Sequence, residues 1–104
     1  MDIDFKNKKL EKCCNTYKDG VKKWGEKHAK KVFQRLAELR AAHDLSEISY
    51  LPPPRCHAVE GIRNDCWAVD TMHPYQLVFK INQEPIPKLP DGGIDKTKVV
   101  SIII

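Results

Sequence analysis

The chain has 104 residues, enough for one hydrophobic core and too few for a second independent one. Hydrophobic residues at 41% and charged residues at 31% exclude a disordered tail and a bilayer-embedded chain, and no apolar run approaches the roughly 20 residues that span a membrane. The net charge of +4 is unevenly held: residues 1–40 carry twelve Lys and Arg against six Asp and Glu, residues 41–104 six against eight. A basic first third suits an anionic partner, either nucleic acid or an acidic protein segment; the solvated face of a lysine-rich helix accounts for the same asymmetry.

The opening Met1-Asp2-Ile3-Asp4-Phe5 is acidic and has no apolar export segment, so a cytoplasmic protein with no membrane partner is expected. None of the four cysteines forms a C-x-x-C pair, which disfavours zinc. Cys13, Cys14, Cys56 and Cys66 are expected to pack as small apolar thiols.

In chain order, Asp2 to Phe5 reads as a short strand, and Asn7 can cap a helix. Leu10, Cys13, Cys14, Tyr17, Val21 and Trp24 then form an apolar stripe along one helix, weakened at Gly20 and stopped at Gly25. A second helix runs from about Glu26 to His43, its stripe being Ala29, Val32, Phe33, Leu36, Leu39 and Ala42. Lys27, Lys30, Lys31, Arg35 and Arg40 lie off that stripe, with His28 and His43 expected at the surface. Two amphipathic helices joined by one glycine predict an antiparallel hairpin.

Leu45 to Pro54 is a connector that three successive prolines should hold extended. The pattern then changes to a period of two. Strands are expected at Cys56–Val59, Cys66–Thr71, Tyr75–Asn82 and Val99–Ile104, with turns at 61–65 and 72–74. Tyr75, Leu77, Phe79 and Ile81 alternate as a core face. Glu84 to Lys96 carries three prolines and two glycines and must be loop. The fold class is therefore α+β, a short strand and a two-helix hairpin on an antiparallel sheet of four to five strands, in one domain spanning 1–104. Ile102-Ile103-Ile104 breaks off in mid-strand, so the natural protein is expected to continue beyond it.

The sequence has no phosphate-binding glycine loop, nucleophile elbow or helical His-pair metal motif. His57 and His73 lie in or beside the expected sheet, near Arg55, Arg63, Asp65, Asp70 and Tyr75 in sequence. Such a group could handle phosphate, arginine supplying charge and imidazole proton transfer; solvent-facing polar side chains where the chain enters a strand explain the same residues.

The run Val-Asp-Thr-Met-His-Pro-Tyr-Gln-Leu-Val-Phe (69–79) and the segment Leu-Pro-Pro-Pro-Arg-Cys-His-Ala-Val-Glu-Gly (51–61) resemble the HigB-type branch of the RelE/ParE toxin superfamily, the plasmid maintenance system killer proteins. The opening 3–12 and the loop Pro-Asp-Gly-Gly-Ile-Asp (90–95) are similar to that branch too, so the resemblance covers essentially the whole chain.

It implies a RelE-like fold and the toxin of a type II toxin–antitoxin system, a ribosome-dependent endonuclease that cuts mRNA during translation. The implied partners are the ribosome and mRNA, and a HigA-like helix-turn-helix antitoxin through which alone operator DNA would be reached. The 2′-hydroxyl beside the scissile phosphate would lose a proton and attack in line, chemistry that needs neither metal nor cofactor. By resemblance, His57 takes proton transfer or phosphate contact, and Arg63 a phosphate contact. Gln76 stands where the branch has arginine; Arg55 and His73 are candidate RNA contacts, and Lys22 and Lys23 contacts to the ribosomal RNA backbone.

The branch also ends in a Glu-x-x-Asp-Tyr-His tail, which this chain does not reach. Gln76 brings no charge to the transition state, and losing one such stabiliser costs about 3–4 kcal/mol, so a weakened nuclease is expected. The alternatives are a non-catalytic ParE-like gyrase inhibitor and a degenerate toxin serving as antitoxin partner and co-repressor.

Overall fold

The computed structural model describes residues 1–59 and 65–104. Strand β1 (Asp2–Asp4) is followed by α1 (Lys8–Asn15), α2 (Tyr17–Trp24) and α3 (Glu26–Ala41). After a 3₁₀ turn at Leu45–Glu47 come β2 (His57–Ala58), β3 (Cys66–Asp70), β4 (Gln76–Ile81) and β5 (Ser101–Ile103), in the spatial order β1-β5-β4-β3-β2. The fold is α+β, with three helices where two were expected. The sheet is antiparallel from β2 to β5 and closed by a parallel β1–β5 pair, Ile3 opposite Ile102.

The expected first helix breaks at Thr16, whose backbone is extended (φ −120°, ψ 110°). Asn15 and β-branched Thr16 both favour non-helical backbone, and the apolar stripe continues in step across the break, so periodicity alone does not reveal it. The two ends were legible: the Asn7 side chain accepts from the Leu10 N–H at 2.8 Å, and Gly25 takes φ +81° to end α2. The break folds α1 against α2 so closely that a Cβ on Gly20 would lie 2.9 Å from the Cys13 carbonyl oxygen.

The three prolines do not extend the chain. They lie in a turn closed by the Arg55 N–H to the Leu51 carbonyl (3.1 Å), and Arg55 leaves it in the left-handed region at φ +44°. The expected turn at 61–65 falls almost wholly outside the described residues.

Leu77, Phe79 and Ile81 on β4 and Val69 on β3 join Val32, Leu36 and Leu39 of α3 in one buried cluster, with Ile102. The helices thus cover one face of the sheet, and Gln76, Val78 and Lys80 stand exposed on the other. Tyr75 does not belong to the core face: it precedes β4 in the turn and is 56% exposed.

Cys13, Cys14 and Cys56 are buried free thiols, Cys14 and Cys56 within the apolar cluster, and half-buried Cys66 lies with its Sγ 3.9 Å from Asp65 Oδ1. Burial pushes the Cys14 thiol up to about 11; adjacent Cys13 adds to the rise and Arg40 opposes it. Among the described residues, no helix is long and apolar enough to cross a membrane.

Candidate functional site

On the open face, antiparallel pairing sets His57 opposite Ala68 and Asp70 opposite Gln76. His57 and Gln76 therefore sit on strands either side of β3. Ala68 between them is small enough for the two side chains to meet across it, and is itself fully covered.

The contacts define the His57 ring. Nδ1 lies 2.6 Å from the Arg55 carbonyl oxygen, which can only accept, so Nδ1 carries the proton. In the neutral ring Nε2 is then the basic nitrogen, and it accepts from the Gln76 amide at 3.2 Å. This imidazole is half-exposed and is aimed by its backbone bond.

Arg55 meets Asp70 in a two-pronged pair, Nε to Oδ2 at 2.6 Å and Nη2 to Oδ1 at 2.9 Å. Hydrogen bonding to Arg55 holds the Asp70 carboxyl below its usual range. Partial burial opposes this, while the charge of Arg55 and a bond from Gln76 add to it. The same hydrogen bond raises the Arg55 guanidinium.

Behind the pair, the Asp70 carbonyl accepts from Arg35 Nε (2.7 Å), and the Asp70 N–H donates to Pro54 (2.8 Å). Arg35 is only 2% exposed and binds both Glu38 carboxylate oxygens at 3.1 Å. It lies within the core rather than off the α3 stripe.

A cleft of about 470 Å³ opens beside this cluster, lined by Pro53, Arg55, Asp70, His73, Tyr75 and Gln76 among others. That is the scale of a small-ligand pocket. Arg55 is the one Arg or Lys lining it among the described residues, and two of its N–H groups are committed to Asp70. The remaining guanidinium N–H groups have the geometry to donate to an anionic oxygen.

The fold thus brings His57, Gln76 and Arg55 together; Arg55, Gln76 and His73 line the cleft, and His57 is joined to it through Gln76. Arg63 lies outside the described residues. Lys22 and Lys23 are elsewhere: with Lys9, Lys12 and Asp19 they line a hollow of about 390 Å³ built by α1 and α2 alone.

Sequence reasoning named Arg35, His28 and Tyr75 but missed their placement. Arg35 stands three residues after Val32 and four before Leu39, a spacing that puts it on the buried stripe despite its charge. His28 is half-buried rather than a surface residue and bonds Thr71 at 2.8 Å. Tyr75 stacks against His28, a contact between α3 and the β3–β4 turn that nothing local announces.

Among the described residues, no group of three or more His, Cys, Asp or Glu converges as a metal site. No protein-family model, curated protein or solved structure matches the chain.

Proposed function

We propose that this chain is the toxin domain of a HigB-like type II toxin–antitoxin system, acting in the cytoplasm as a ribosome-dependent mRNA endonuclease of reduced activity. The observation that carries the reading is the His57 ring, with Nδ1 fixed on the Arg55 carbonyl and Nε2 as the free base beside Gln76. A 2′-hydroxyl placed against Nε2 would lose its proton there once the Gln76 amide swings aside. Arg55 would hold the phosphate with the donors Asp70 leaves open. The partners would be the ribosome and its mRNA, and a helix-turn-helix antitoxin.

Induced expression in bacteria should arrest growth and leave codon-phased cuts in translated messages, both lost in His57→Ala and both relieved by an adjacently encoded helix-turn-helix protein. Growth arrest with intact messages would remove the nuclease assignment.

One observation favours a second reading, that the domain binds without cutting. Arg55, the one Arg or Lys lining the cleft among the described residues, is paired with a carboxylate, and its neighbour Gln76 is uncharged. A ParE-like domain would then inhibit purified gyrase in a supercoiling assay at stoichiometric protein, with messages left whole.

A further inference from the structure

We propose that Tyr75 is a stacking platform for one unpaired nucleobase at the rim of the Arg55–Gln76 cleft, positioned by His28 through Thr71. The proposal rests on the RNA reading above and adds a base-binding subsite to it.

Tyr75 is 56% exposed, so its ring gains little from burial, yet its backbone is bonded through both N–H and carbonyl and its ring meets His28. Its N–H donates to the Met72 carbonyl at 2.7 Å, and its carbonyl accepts both the Thr71 N–H and the Thr71 hydroxyl at 3.2 Å. A carbonyl only accepts, so the Thr71 hydroxyl proton is spent there. The His28 contact to Thr71 Oγ1 at 2.8 Å must then be a donation from His28 Nε2–H. The same imidazole lies over Tyr75, ring centres 5.0 Å apart and planes inclined by 31°. Trp24 backs His28 in turn, at 6.4 Å.

One face of the tyrosine is therefore covered by an imidazole that a hydrogen-bond chain locks in place, and Tyr75 itself lines the cleft. Ordering an exposed aromatic costs side-chain freedom that solvent does not return. A flat partner stacking on the open face incurs none of that cost again, because no ordering remains at the moment of binding. Within the same cleft stand a guanidinium for a phosphate and the side chains of Gln76 and His73 for polar edges. An aromatic face beside a cation is how single-stranded nucleic acid is held, the base on the ring and the phosphate on the charge.

The test titrates the intact protein, followed by nuclear magnetic resonance into the millimolar range, with two oligomers: a six-residue unstructured 2′-deoxy strand and its fully abasic counterpart. Tyr75→Ala should weaken binding of the base-bearing strand by about 10-fold and leave the abasic strand unchanged, whereas Tyr75→Trp should retain the wild-type preference for bases. Arg55→Gln should weaken both strands. If Tyr75→Ala binds the base-bearing strand as the wild type does while Arg55→Gln does not, the platform is refuted and the cleft stands. Equal losses on both strands in Tyr75→Ala would make the residue merely structural and also refute it. If the wild type binds neither strand, the cleft reading falls and takes the platform with it.

Discussion

At Asp70 the electrostatics of the site can be measured one carboxyl at a time. Its hydrogen bonds from Arg55 favour the ionised form over the partial burial that opposes it. The folded-state value is therefore below that of the unfolded chain, and the stability this contributes is present above the ordinary 3.8 and lost as pH falls through the lowered value. A carbon-detected titration should find Asp70 below 3.8 in the wild type and moved up toward it in Arg55→Gln. Identical titrations in the two proteins would mean that the pair does not hold in solution. His57 was legible in an expected strand with Arg55 just before it, and Gln76 only through the resemblance. The Asp70 clamp was not, because it depends on Arg55 leaving the proline turn at φ +44°, a conformation that non-glycine residues rarely take and that no propensity signals.

Elements were legible wherever one period governs a segment and failed where two forces compete. The alternation of β4 and the caps at Asn7 and Gly25 follow from local chemistry. The break at Thr16 does not show in the periodicity, because the apolar stripe runs in step across it, and it packs α1 against α2. Gly20 is the sequence trace of that packing, and it makes an unusual forecast. In an open helix Gly→Ala gains about 1 kcal/mol. Here the new methyl would meet the Cys13 carbonyl oxygen and Phe33 Cε1, each at 2.9 Å, and the oxygen belongs to backbone that cannot swing away. Overpacking of this kind costs about 1–3 kcal/mol, so the loss outweighs the gain. Urea unfolding of Gly20→Ala should show a lower midpoint with the slope preserved; a stabilised variant would show that the two helices part easily.

Across the whole molecule the charge asymmetry of the sequence becomes a separation in space. The lysines of the first third gather on the helices, with Lys9, Lys12, Lys22 and Lys23 around one hollow, while the imidazole and its clamp occupy the sheet face the helices leave open. The resemblance gave Lys22 and Lys23 and His57 to one RNA-binding activity, and the fold separates them into two surfaces. Under the toxin reading the helical surface grips RNA backbone, and the cleft receives the strand to be cut. The two surfaces then have different salt signatures. Each phosphate contact releases condensed counterions and steepens the dependence of log affinity on log salt by about 0.7–0.9. Ribosome co-sedimentation over a series of salt concentrations should show Lys22→Glu combined with Lys23→Glu binding more weakly at low salt, with a slope flattened by about 1–2. His57→Ala should leave the slope as it is. Parallel lines for wild type and the double variant would take the lysine hollow out of ribosome binding and leave it a solvated helix face.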